Sequence, residues 1–344
     1  MDVGRAVVTH DQLAGVAAAA LGAEHRLVGV SRLRGGSKKG VYRLIFDDDS
    51  TAIAYIWADA EDYWPATHSD SDSDDSDGDG DGDGADDHGD PFSHASGLEL
   101  FLAAHRRLDS LGIRAPRIHL ADRSRRHYPA DIAVVEDVPG ENLEALLDRD
   151  PRGAEPALAQ LAGALQAMQR HTNPGFGKVA LIDGGGSSRG QSCERVVLDR
   201  ALRDLAEAAS RDPRVAAARE RLADTLLRLA AAVHPRAQYA LIHGELGPDH
   251  VLVDRFGQPV LIDIEGLMFF DVEWEHVFLR LRFGQHYRWL SRDDLDQQRM
   301  ACYELAMRLS LVAGPLRLLD GDFPDRDAMI GIAEHNLKQA LALI

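Results

Sequence analysis

Residues 241–276 read LIHGELGPDHVLVDRFGQPVLIDIEGLMFFDVEWEH, and the chain's most informative chemistry is concentrated there. His243, Glu245, Asp249, His250, Asp263, Glu265, Asp271, Glu273, Glu275 and His276 are set among strand-like apolar triplets, ALI, VLV and VLI. A surface that needs only to be solvated does not place acids between such triplets, because a charge left unpaired in an apolar interior is costly. Acids and imidazoles gathered in this way point to a metal or phosphate site. A second candidate is the glycine turn RGGSKKG at 34–40, which carries Lys38 and Lys39. Lysine is otherwise confined to Lys178 and Lys338, so each one is worth locating.

The spacing within the first run resembles the catalytic loop of protein kinases. His-x-Glu at 243–245, His250 five residues beyond the Glu, and Asp263 after a hydrophobic strand are similar to H-x-D-x-x-x-x-N and the metal-binding Asp. The aminoglycoside phosphotransferase family is closer still. Its H-G-D-L-x-x-x-N followed by I-D-W-E is matched by His243, Gly244, Glu245, Leu246 and His250, then Ile262, Asp263, Ile264 and Glu265. The resemblance implies an α+β, protein-kinase-like two-lobed fold, with a small antiparallel β-sheet N-lobe carrying one helix and a larger, mainly helical C-lobe. It also implies roles. Glu245 is the base or orienter of an acceptor hydroxyl, and His243 is a structural residue of the catalytic loop. Asp263 holds Mg²⁺, and His250 takes the place of the second metal ligand. The turn with Gly35, Gly36 and Ser37 covers the nucleotide phosphates through its amides, while Lys38 or Lys39 adds charge. A hinge at Glu136 to Val138 meets the adenine through backbone groups, and Glu275 braces the catalytic loop.

Three departures from the family pattern have physical consequences. Glu245 stands where the motif has Asp; the extra methylene moves the carboxylate by about 1 Å, a misplacement that can cost on the order of a hundredfold in rate. His250 replaces Asn and offers nitrogen where Mg²⁺ prefers oxygen, although some family members acting on macrolides resemble this sequence in having His there. In TAIAYIW at 51–57 the lysine expected to pair with phosphate is absent, with Ala54 or Tyr55 in its neighbourhood. Glu99, the helix acid that would pair with it, is left without an obvious partner. Lys38, Lys39 or Arg34 must then compensate.

The elements that position these groups follow from periodicity. LVGVSRL, VYRLIF and TAIAYIW, separated by a glycine turn and an acidic turn, predict three antiparallel strands. Residues 98–111 have helical spacing ended by Gly112, and RIHLAD and DIAVVEDV predict two more strands, giving a five-stranded sheet with one helix inserted after its third strand. From Leu143 the pattern is mostly helical, interrupted by a short β segment over 240–264. Pro139 and Gly140 break periodicity, so the expected lobes are 1–138 and 139–344. Asp271 and Glu273 fit a solvated helix start, and Trp274, Phe278, Phe283, Tyr287 and Trp289 fit a core-facing set.

Composition bounds the reading. At 344 residues and 45% hydrophobic the chain is long enough for two lobes, and no apolar run reaches the roughly 18 residues that a membrane span requires. Cys193 and Cys302 have no C-x-x-C neighbourhood, so they fit buried apolar positions rather than a disulfide or zinc site. Residues 67–89, THSDSDSDDSDGDGDGDGADDHG, cannot bury enough apolar surface to order themselves, and they lack the terminal Glu and flanking helices of a calcium loop. They read as an acidic insertion within the N-terminal lobe. Eleven aspartates at 70–90 supply most of the net charge of −18, leaving −7 on the rest. Nucleic acid is not an expected partner. The expectation is a cytoplasmic kinase moving the γ-phosphate of ATP or GTP, with Mg²⁺, to a hydroxyl of a small molecule such as an aminoglycoside, a macrolide or a metabolite. An acidic body suits a cationic acceptor. The alternative, motivated by the three departures, is a pseudokinase that binds nucleotide or ligand as a regulator.

Overall fold

The computed structural model describes residues 8–33, 36–64, 89–92 and 96–344. Arg34, Gly35 and nearly all of the acidic insertion lie outside them. The chain opens with helix α1 (His10–Leu21), whose first turn is held by Thr9 N–H donating to Gln12 Oε1 at 2.8 Å. Strands β1 (Leu27–Arg32), β2 (Gly40–Phe46) and β3 (Thr51–Trp57) follow, then helix α2 (Leu98–Ser110) and strands β4 (Ile118–Asp122) and β5 (Asp131–Glu136). They form one antiparallel five-stranded sheet in the order β1-β2-β3-β5-β4, with α2 inserted after the third strand. Gly112, at φ 67°, takes the left-handed turn that ends α2.

The alternation in β2 and β3 divides this sheet between two cores. Tyr42, Leu44, Phe46, Ala52, Ala54 and Ile56 face α1 and pack on its Leu13, Val16 and Ala17. Each large side chain buried there stabilises by roughly 1.5–3 kcal/mol. Ile53 and Tyr55 point the other way, into the main core, where the Tyr55 ring meets Phe101 of α2 edge-on at 5.6 Å.

The remainder is mainly helical. It begins with β6 (Gly140–Asn142), α3 (Leu143–Arg149), α4 (Glu155–Gln169), β7 (Thr172–Asn173), β8 (Gly177–Lys178), α5 (Val179–Asp183), α6 (Cys193–Arg211) and α7 (Pro213–Ala231). It continues through β9 (Tyr239–Ile242), β10 (Val251–Asp254), β11 (Pro259–Leu261), β12 (Met268–Phe270), α8 (Val272–Phe283), α9 (Gln297–Leu318) and α10 (Arg326–Ala342). Asp212 caps α7 through Arg214 N–H at 2.7 Å, and Asp296 caps α9 through Gln298 N–H at 2.9 Å. The β segment expected over 240–264 is not one unit: β10 lies in the sheet β11-β10-β6, and β9 in the sheet β7-β9-β12-β8. The loop 243–250 therefore bridges two small sheets, and Asp263 follows β11. Arg114 ties the two halves together, with its guanidinium on Asp254 at 2.6 Å and Glu136 at 2.7 Å and its carbonyl accepting from Leu261 N–H at 2.9 Å. No helix among the described residues is long and apolar enough to cross a membrane.

One expectation needs correction. Asp271 and Glu273 do begin a helix, but they are buried rather than solvated, at 0% and 1% exposure. Both carboxylates are met by guanidinium groups, Arg299 and Arg236 on Asp271 and Arg236 on Glu273, which is what makes their burial tolerable. Of the aromatic set, Trp274 and Phe283 are buried, while Phe278, Tyr287 and Trp289 are half-buried against the same core. Both cysteines are free and buried.

Candidate active site

His243 closes β9 in a fully buried position. Its Nε2 donates to the Ile262 carbonyl at 3.1 Å, and burial pushes its pKa down to about 4, so the neutral ring ties the loop to the segment leading into Asp263. Gly244 follows at φ 93°, where a Cβ would lie 3.1 Å from Met268 Cε and 3.4 Å from the Gly266 carbonyl. Its N–H donates to Glu275 Oε2 at 2.8 Å. Glu275, buried at the start of α8, is pushed up to about 7 by that burial, although backbone bonds from Gly244, His243 and Leu246 favour its charged form. The loop backbone is thus fixed from beneath, with Leu246 buried as an anchor.

On that rigid loop Glu245 faces outward. Its side chain is exposed, and no hydrogen bond or ion pair engages its carboxylate among the described residues. Its carbonyl accepts from His250 Nδ1 at 2.8 Å. With Nδ1 donating, a neutral His250 turns the Nε2 lone pair toward Asp263 Oδ2 and Asp249 Oδ2, each 3.7 Å away. Asp249 is in turn held by Arg282 at 2.7 Å.

Asp263 sits at φ 57° and ψ 46°, a left-handed conformation unusual for any residue but glycine and better tolerated by Asp than by most. Strain of this kind, on the order of 1–3 kcal/mol, tends to accumulate at functional positions. The side chain is 45% exposed, and its Oδ1 accepts from Lys39 Nζ at 2.9 Å. That ammonium holds the Asp263 carboxyl well below the usual carboxylate range. Lys39 also donates to Glu265, which is itself buried at 3% exposure. Burial opposes the Lys39 charge, yet the Asp263 and Glu265 carboxylates outweigh it and raise the lysine above its ordinary value. Burial raises Glu265 as well, the lysine notwithstanding.

The two lysines of the glycine turn part company. Lys38 lies over the Trp64 ring at 5.8 Å, whereas Lys39 turns inward to Asp263 and Glu265. Ser37 is pinned by Trp64 Nε1–H to its hydroxyl at 2.9 Å and by Tyr63 N–H to its carbonyl at 2.8 Å, with Gly36 beside it at φ 78°. Gly35 falls outside the described residues. At the hinge, the Glu136 N–H already donates to the Arg117 carbonyl at 2.8 Å, and its carboxylate accepts from the Arg114 guanidinium and from Arg117 N–H. Asp137 takes the Arg43 guanidinium at 2.6 and 3.1 Å, and Val138 is buried. Glu99 is exposed and pairs with Arg123 at 3.0 Å, away from Lys39.

With this geometry in place, comparison with known proteins decides the family. The model of the phosphotransferase enzyme family matches residues 87–300, well over half of the chain. The chain belongs to the phosphotransferase enzyme family. It is a small-molecule kinase with a kinase-like, two-lobed α+β fold. Among solved structures, the spectinomycin phosphotransferase APH(9)-Ia in complex with ADP and spectinomycin superposes with a TM-score of 0.65 at 13% identity, over 98% of this chain and 99% of that one. A thermostable mutant of the aminoglycoside phosphotransferase APH(4)-Ia gives 0.58 at 16% identity, over 91% and 95%. A fructosamine-3-kinase homologue from Thermobifida fusca gives 0.50 at 17% identity, over 93% and 95%. A sequence comparison with curated proteins finds no match.

The family match begins beyond Lys39, so the phosphotransferase pattern itself assigns that lysine nothing. Sequence reasoning placed Lys39 in a glycine turn together with Lys38 and named both, with Arg34, as substitutes for the missing strand-three lysine, but had no signal to choose among them. The pairing with Glu265 and the clamp of Arg43 on Asp137 had no signal in the spacing, because they join positions separated by 226 and 94 residues.

Proposed function

We propose that this phosphotransferase is catalytically competent and moves the γ-phosphate of ATP or GTP to a hydroxyl of a small molecule, with Mg²⁺ at Asp263 and His250. The observation that carries the reading is the Glu245 carboxylate, exposed and without a partner among the described residues, on a loop that His243 ties to the segment leading into Asp263 and Glu275 holds from beneath. Phosphoryl transfer needs an acceptor hydroxyl held in line and cations to offset phosphate charge, with little covalent work by the protein. Glu245 is the base or orienter for that hydroxyl. Gly36, Ser37 and Lys39 meet the phosphates, and Val138 meets the base. The lobes are 1–138 for nucleotide and 139–344 for catalysis and acceptor.

The fit to a metal ion follows from two acceptors facing each other. Asp263 Oδ2 and His250 Nε2 stand 3.7 Å apart, and with Nδ1–H donating to the Glu245 carbonyl the neutral form of the imidazole presents its remaining lone pair to that oxygen. Mg²⁺ keeps several waters and leans on phosphate oxygens, so one or two protein ligands suffice for it. When bound, it would offset charge on the nucleotide phosphates. The relatives support the ligand classes: APH(9)-Ia was solved with ADP and spectinomycin, and APH(4)-Ia with AMP-PNP and hygromycin B. The charge of −7 outside the acidic insertion, in a cytoplasmic enzyme, suits a cationic acceptor such as an aminoglycoside or a macrolide.

The test is incubation with Mg²⁺ and labelled ATP or GTP against a panel of cationic antibiotics and amino sugars. Transfer to at least one acceptor, abolished by Asp263→Asn, is expected. Stabilisation by ATP and Mg²⁺ with neither transfer nor hydrolysis would overturn the reading in favour of a nucleotide-binding regulator.

A further inference from the structure

In the kinase-like pattern a lysine on the third strand pairs with a glutamate on the following helix and meets the nucleotide phosphates. Neither partner serves here. Tyr55 occupies the middle of β3, and Glu99 of α2 is exposed and bound to Arg123. An ammonium nevertheless reaches the same place from the neighbouring strand. Lys39 immediately precedes β2, next to the register pair Val41 and Tyr55, and its Nζ lies 4.9 Å from the centroid of the Tyr55 ring.

We propose that Lys39 is the phosphate-gripping lysine of this enzyme and that Glu265 is the positioning residue that holds it, the two replacing the strand-three lysine and helix glutamate. The inference deepens the function proposed above and rests on it. Three features carry it. Lys39 is buried to 6% exposure, a state lysine rarely reaches without a partner. Glu265 is buried to 3%, its Oε1 accepts from Lys39 and its Oε2 has no hydrogen-bond partner among the described residues, so Lys39 is the one side chain that donates to it there. The other acid on the ammonium, Asp263, opens to the cleft. A lysine serving only as internal glue would have both its acids sealed. Here one acid is sealed and one faces solvent, which is how an ammonium is held from behind and offered forward. The backbone that delivers it is equally fixed: Tyr63 and Trp64 pin Ser37, and Ser96 Oγ–H donates to the Lys38 carbonyl at 3.1 Å.

The experiment measures kcat and KM for ATP, together with Kd for ATP and for adenosine, in five variants. Lys39→Met is expected to lower kcat/KM for ATP by about a hundredfold or more and to weaken ATP binding but not adenosine binding. Lys39→Met with Tyr55→Lys restores an ammonium from β3 and is expected to recover at least about tenfold. Glu265→Gln is expected to raise KM for ATP several-fold with a smaller change in kcat. Glu99→Gln is expected to change nothing. Lys39→Met with Glu265→Gln leaves no uncompensated buried charge, so it keeps the phosphate-specific loss measurable if the single variant does not fold. Equal ATP and adenosine affinities across the Lys39 variants, no rescue by Tyr55→Lys in folded protein, or a Glu99→Gln loss matching that of Lys39→Met would overturn the assignment. If the wild type binds ATP without turnover, the enzymatic reading fails by itself, and the ratio of ATP to adenosine affinity still decides the role of Lys39.

Discussion

Asp263 and Glu265 form one cluster of charge in the interior, and Asp271 and Glu273, shortly after them in the chain, form another. The second is sealed. Every acid in it, including Glu194, has a guanidinium within 3.5 Å from Arg236 or Arg299; Tyr303 O–H donates to Asp271, and Arg299 also donates to the His234 carbonyl. The first is short of cations. Two carboxylates share the single ammonium of Lys39, Asp263 is 45% exposed, and among the described residues no hydrogen bond or ion pair engages the Glu245 carboxylate. Similar residue types thus serve two ends, and what separates them is spare valence facing solvent. A cluster closed off from solvent and met by guanidiniums holds α8 and α9 together, whereas the Lys39 cluster leaves one of its acids open to solvent.

The widest separation between the two regions is expected from matched deletions. Asp271→Ala strands Arg299 in the interior and should cost about 3–5 kcal/mol in urea unfolding, with activity falling only as the folded fraction falls. Asp263→Ala should reduce phosphate transfer by roughly a thousandfold, the scale of losing a metal-binding acid, while costing well under half as much stability as Asp271→Ala. Were the two variants to trade these outcomes, spare valence would not distinguish function from structure here.

Glu245 sharpens the same contrast because its carboxylate, the proposed base, makes no hydrogen bond or ion pair among the described residues. Glu245→Gln should lower kcat by about 10²- to 10⁴-fold and leave the urea midpoint where it was. A shifted midpoint with retained turnover would move Glu245 into the structural group.

Beneath Glu245 the loop carries two buried titrating groups of opposite sign. Glu275 is raised from the ordinary 4.5 to about 7, so the unfolded chain ionises first and stability falls as pH rises from about 4.5 to about 7, by at most about 3 kcal/mol. His243 is lowered from 6.5 to about 4; its contribution is complete above 6.5 and is lost as pH falls toward 4. The windows overlap and the slopes oppose each other. Glu275→Gln should therefore expose a stability that rises with pH between 4 and 6.5, and His243→Asn one that falls between 4.5 and 7. Unfolding curves across this range that are unchanged by either variant would mean that the loop is not braced by buried neutral groups.

Much of this arrangement was legible in the sequence, and the part that was not has a common cause. Alternation in GVYRLIF and TAIAYIW gave the sheet, and acids set between apolar triplets gave the loop and the position of Asp263, because both are patterns local to a few residues. Asp271 and Glu273 were misread as solvated because their burial depends on Arg236 and Arg299, which approach from other elements. Lys39 was indistinguishable from Lys38 for the same reason: which of two adjacent side chains turns inward is decided by Tyr63, Trp64 and Ser96 gripping the turn, not by the turn's own composition.

The smallest expected effect tests whether that rewiring left anything behind on α2. Glu99 and Arg123 are 62% and 58% exposed at 3.0 Å, a geometry in which solvent screening and side-chain entropy leave at most about 1 kcal/mol. Glu99→Ala should shift thermal unfolding by no more than a few degrees and leave KM for ATP unchanged. A kinase-like enzyme that still used its helix glutamate would lose nucleotide affinity on the same substitution. A silent Glu99 beside a sensitive Glu265 would place the partner of the phosphate-binding lysine after the metal-site aspartate rather than on the helix.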